Sequence, residues 1–216
     1  MKKRFIAGVA LAAALVLVGA ACGDKAETTA DAAPPSVTGA SSTLLVTLDA
    51  GLKEHVYLAG LATENALGGR TAGFQAAAAA LDENSVALSK AIGSVFGSDA
   101  EKAFLPLWRS HIGFVVDYTS NFGNKAAQDK AVSDLLGYTE TFGAFLSGAI
   151  PALQKTAAAD LVKTHILTLK DVIDAQQAKD FAKADTMLRT AAHHMGMISS
   201  ALADMIVKQF PEKFAA

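Results

Sequence analysis

Three observations predict an all-α fold. From Thr43 to Phe214 the apolar residues recur at spacings of three and four, alanine is frequent, and runs of β-branched residues are few. Short breaks punctuate the pattern: NALGGR (65–70), Gly97-Ser98, NFGN (121–124), Gly148 to Pro151, and the polar stretch Gln177 to Asp180. Between them lie about six helices, at 43–67, 71–96, 99–121, 125–148, 151–176 and 180–209, with Ser98 and Pro151 suited to helix starts. The loops are short, so consecutive helices run antiparallel.

The residues before these helices differ in kind. Lys2, Lys3 and Arg4 precede an uncharged apolar run from Phe5 to Val18, and Gly19, Ala20, Ala21 and Cys22 follow. This is the layout of a secretory signal, and the run is shorter than the ~20 apolar residues of a membrane span. A cysteine directly after two alanines resembles a bacterial lipoprotein signal, although Gly19 stands where such signals usually carry Leu, Val or Ile. The reading is a signal peptide over 1–21 and a lipidated Cys22 that anchors the chain to the outer, extracytoplasmic face of the bacterial cell membrane. Residues 22–42 are Ala, Thr, Ser, Pro and Asp with almost no large apolar side chain, the composition of a flexible tether. Removing the three leading cations takes the formal charge from −2 to −5, which gives nucleic acid no basic face to bind. The single cysteine excludes an internal disulfide and a thiolate metal cluster.

Within the helical domain, 43–216, the chain resembles itself. GLKEH (51–55), LWRSH (107–111) and LVKTH (161–165) each open a helix, break, helix unit, at spacings of 56 and 54 residues. Asp117 and Asp171 fall six residues beyond their histidines, where the first copy has Leu61. The domain is therefore three repeated antiparallel hairpins, each burying its apolar face on the next. A compact bundle and a short stack both satisfy this pattern.

The histidines follow the apolar stripes. His111 is in phase with Leu107, Phe114, Val115, Tyr118 and Phe122, and His165 with Leu161, Leu169 and Val172. His55 lines up with Leu58 and Ala62, and His194 with Met187, Ile198, Ala201 and Met205, which puts its neighbour His193 nearer the edge. At ~1.5 Å per residue, counting from the turns brings His55, His111, His165 and His194 to one level, together with Asn84 and Thr139. A polar level inside a helical bundle is where facing helices assemble metal or cofactor sites. Neutral imidazole suits copper, zinc and haem iron, and Met195 adds a soft thioether. The competing reading is a structural hydrogen-bonded layer, since buried polar groups are normally paired. Glu54, Asp82, Glu83 and Glu140 fall on the flanks by helical phase.

Other chemistries lack their residues. The chain has no Glu-x-x-His pair, no His-Glu-x-x-His, no Cys-x-x-Cys-His, no phosphate loop and no Gly-x-Ser-x-Gly elbow. No nucleophile, base and electrophile can be named together, so an enzyme is not expected.

The strings LDENSVALSKAIGSVFG (81–97), LWRSHIGFVVDYT (107–119) and IVKQFPEKF (206–214) resemble a family of exported, largely uncharacterised helical bacterial proteins. The likeness covers nearly all of 44–214. The matching positions that look characteristic are His55, Asn84, His111, Asp117, Tyr118, His165, His194 and Met195; at His193 relatives tend to have a small residue. Some relatives carry a copper amine oxidase label, but nothing here resembles the quinone-forming tyrosine motif or β-sandwich of those enzymes. The resemblance implies the fold and export and brings no settled function. The expectation is a membrane-tethered protein that binds copper or zinc, or else haem, through the mid-bundle histidines for buffering or delivery. The alternative is a non-catalytic envelope scaffold.

Overall fold

The computed structural model describes residues 39–215, so the expected signal peptide, most of the tether and Cys22 lie outside the described residues. The described chain is helical, with no strand among the described residues. The elements are α1 (Ala40–Leu67), α2 (Thr71–Phe96), α3 (Ser98–Ser120), α4 (Lys125–Ala149), α5 (Lys155–Gln177), α6 (Phe181–Gln209) and the single turn α7 (Pro211–Phe214). The six long helices occupy the segments that apolar periodicity indicates. Among the described residues, no helix is long and apolar enough to cross a membrane.

The turns explain the boundaries. Gly69 and Gly123 adopt φ of 68° and 93°, the left-handed region that glycine enters without steric cost, and end the α1–α2 and α3–α4 connections. Asn124 and Asp180 cap α4 and α6 by accepting from the backbone N–H of Ala127 and Lys183. Pro151 does not start α5. It occupies the second position of a turn in which the Leu153 N–H donates to the Ile150 carbonyl (2.9 Å), the place where a fixed φ is favoured. Ile150 and Leu153 are buried and hold this turn against the core, so α5 begins four residues later, at Lys155. At the other end Pro211 opens α7, which brings Phe214 back against the core.

Each helix packs on its neighbour in sequence, and α6 packs on α1, which closes a ring. A stacked array would leave the first and last helices apart, so the hairpins form a bundle. α1 also touches α3 and α5 across the ring. α1, α3 and α5, which carry the repeated histidines, thereby meet at the centre. Two close approaches set the spacing of this ring. Gly143 of α4 lies against α5 so tightly that a Cβ there would sit 2.9 Å from the Lys155 carbonyl. Gln176 of α5 donates to the Gly60 carbonyl (2.9 Å) and accepts from Thr63 (2.8 Å), which ties α5 to α1.

A candidate metal centre of three histidines

The inner stripe of α1 is Leu44, Leu48, Leu52, His55, Val56 and Ala59; that of α3 is Phe104, Trp108, His111, Val115 and Tyr118. On α5 the stripe includes Ala158, Val162, His165, Leu169 and Val172. Each places one imidazole on a helical face that must be buried for the ring to close. His55, His111 and His165 are 1%, 3% and 4% exposed. One ring nitrogen from each lies within 4.8 Å of the others. The Nε2 atoms of His55 and His111 are 3.3 Å apart, and the His165 ring centroid is 5.8 Å from that of His55.

Aromatic side chains wall the group on one side. The Trp108 ring lies 4.8 Å from His55 and 4.7 Å from His111, and the Tyr138 ring lies 4.9 Å from His111. Phe104 stacks on Trp108 and Phe142 on Tyr138. A cavity of about 60 Å³, lined by apolar side chains with His111, His165 and Met195, adjoins the group. A smaller one of about 30 Å³ touches His55 and His111.

Burial controls the protonation of this group. It pushes His55 and His165 well below the ordinary imidazole range, and their neighbours His111 and His55 respectively add to the shift. His111 is lowered to about 3, first by burial and then by His165. Burial also raises the Tyr138 hydroxyl well above its usual range. All three imidazoles are therefore neutral near pH 7, the form that offers a nitrogen lone pair to a metal.

Seven buried side-chain polar atoms have no hydrogen-bond partner among the described residues, and six of them are here. They are Nδ1 of His55 and His111, both ring nitrogens of His165, the Trp108 indole nitrogen and the Tyr138 hydroxyl. A hydrogen-bonded layer would pair each imidazole with a neighbouring Asn, Thr, Tyr or Asp, and these three have no such partner.

The other residues expected at this level have separate roles. Nε2 of His194 lies 2.9 Å from the Leu161 carbonyl and does not belong to the converging group. Asn84 donates to the Gly51 carbonyl (3.0 Å) and to Glu54 (2.7 Å), holding α2 against α1. The Thr139 hydroxyl donates back to Leu136 in its own helix (2.7 Å). Tyr138, one residue earlier, is the α4 side chain that reaches the histidines. Its phase with Leu135 and Phe142 is the sequence signal that places it on the inner face. Met195 is buried beside the larger cavity, while His193 is exposed. Asp82 pairs with Arg109 and Glu140 with Lys155 on the surface, and Glu54 and Glu83 are exposed.

No family model, curated protein or solved structure matches the chain. The functional reading therefore rests on this geometry.

Proposed function

We propose that the protein binds a transition metal, copper or zinc, through His55, His111 and His165, and serves to hold or pass on the ion. The observation that carries this reading is the convergence of three buried, neutral imidazoles from three different hairpins within 4.8 Å of one another. A three-nitrogen site with metal–nitrogen bonds of about 2.0 Å has nitrogens about 3.5 Å apart. His55 and His111 stand at that separation already. A shift of His165 by roughly 1 Å completes the triangle, with the adjoining cavity as room for it.

Haem is disfavoured by size, because cofactor pockets run to ~300–1,000 Å³ and the two cavities beside these histidines hold about 60 and 30 Å³. Turnover is disfavoured by the surroundings, which are Trp108, Tyr138 and aliphatic side chains rather than a nucleophile with its base. The scaffold alternative draws support at His194, whose imidazole meets a backbone carbonyl, and from the 3.3 Å hydrogen bond between the His55 and His111 rings. Export and anchoring through Cys22 are part of this proposal and rest on the charged, apolar and small-residue sequence of the first 22 positions.

The only tryptophan of the chain touches two of the three histidine rings, so its fluorescence reports on the site. Titration of chelator-treated protein with copper or zinc should change Trp108 emission with an end point near one ion per chain. Elemental analysis should find the same stoichiometry. His111→Leu with His165→Leu should abolish both signals, and His194→Ala should retain them. Uptake unchanged in the double variant, or no uptake by the wild type, would overturn the reading.

A further inference from the structure

The three histidines are uncharged near pH 7, and among the described residues no carboxylate stands with them. Of the partly buried carboxylates on α1, α3 and α5, Asp49 accepts from Lys53 (2.7 Å), Glu64 from Arg70 (3.0 Å), and Asp174 from Lys170 (2.6 Å) and Tyr118 (2.6 Å), while Glu101 stands in the first turn of α3, well before His111. An ion bound here keeps its whole charge inside an apolar core. The cost of moving an ion out of water rises with the square of its charge, so a divalent ion meets about four times the penalty of a monovalent one. Three neutral nitrogens also make a complete shell for a three-coordinate ion, whereas zinc takes four ligands. The residue added by the larger cavity is the Met195 thioether, a soft ligand that favours copper in its lower oxidation state.

From the neutral ligand set, the apolar walls and the three-fold convergence, we infer that the centre selects ions by charge and takes monovalent copper in preference to divalent copper or zinc. This inference rests on the metal-binding reading and deepens it. Comparing the two oxidation states of one element removes differences of intrinsic affinity between elements. The full chain is titrated anaerobically with copper held reduced by ascorbate against a chromophoric competitor for that state. It is titrated separately with divalent copper and with zinc, each against its own competitor.

The expected result is a dissociation constant for monovalent copper at least a hundredfold below that for divalent copper. The potential of the bound copper then lies about 120 mV or more above that of copper free in the same buffer, at 59 mV per tenfold for one electron. Zinc is expected to bind more weakly than monovalent copper by at least the same factor. His165→Glu, which adds one negative charge to the ligand set, should narrow the gap between the two copper states by at least tenfold. Where that variant does not fold, the wild-type comparison decides alone. Equal affinity for both copper states, or zinc as tight as monovalent copper, overturns charge selection and leaves metal binding standing. Failure of all three ions to bind removes both.

Discussion

Acid should weaken the metal-free protein steeply between pH 7 and 5, well above the range where most carboxylates titrate. In the unfolded chain each of His55, His111 and His165 has the ordinary pKa near 6.5. In the folded chain His111 is lowered to about 3 and the other two well below 6.5, in each case chiefly by burial. Between those values the unfolded state binds more protons, so stability is fully present above pH 6.5 and falls as the pH drops. Moving from pH 7 to pH 5 adds about 1.9 kcal/mol of protonation free energy to the unfolded state for each histidine, or about 6 kcal/mol for three. Domains of this kind have ~5–15 kcal/mol in total. Urea denaturation of chelator-treated protein, followed by helical circular dichroism, should show the midpoint falling by about 2–3 M at a slope of ~2–3 kcal/mol/M. His165→Leu should remove about a third of the drop. A loss under ~2 kcal/mol in the wild type would mean that the imidazoles are hydrated or charged in the folded state, and the account of a dry neutral triad would fail.

Other outcomes follow from the same contacts. Tyr138→Phe removes a buried hydroxyl that has no partner and should raise the stability of the metal-free protein by about 1 kcal/mol, read as an upward shift of the urea midpoint. His165→Leu should likewise stabilise the metal-free chain at pH 7 by ~1–3 kcal/mol while abolishing metal uptake, because two unpartnered nitrogens are exchanged for an apolar side chain. Gly143→Ala places a Cβ 2.9 Å from the Lys155 carbonyl and 3.1 Å from the Ala159 nitrogen; it should cost ~1–3 kcal/mol and lower Tm by several degrees in a calorimetric scan. Gln176→Ala leaves the Gly60 carbonyl and the Thr63 hydroxyl without their cross-helix partner and should cost about 2 kcal/mol in chemical denaturation.

Much of this architecture is legible in the chain itself. Helical periodicity locates the six long helices, and the repeated strings GLKEH, LWRSH and LVKTH assign His55, His111 and His165 to equivalent inward positions. Counting from the turns performs less well. It measures height along an axis at ~1.5 Å per residue and carries no information about rotation around it. His194, Asn84 and Thr139 share the expected region of sequence, yet each turns to a different partner: Leu161, Glu54 with Gly51, and Leu136. Rotation is decided by which side chains interlock between helices, and that is a property of pairs distant in sequence. The same reason hides Tyr138, whose meeting with His111 depends on how α4 lies against α3. Pro151 misleads for a local reason, since the same fixed φ that suits a first helical residue also suits a turn. Closure of the ring by α6 against α1 has no local signature at all.

The converging nitrogens belong to three helices separated by more than fifty residues at each step, with α1 and α6 meeting last in chain order. No single hairpin contains more than one of them. A nascent or translocating chain therefore displays three isolated imidazoles, each a poor trap for an ion by itself. Under the export proposed above, an unfolded chain would cross the membrane empty. An ion bound through the proposed site would then come from the far side, acquired only after the last helix had docked, so that the compartment of folding and the compartment of loading would be the same.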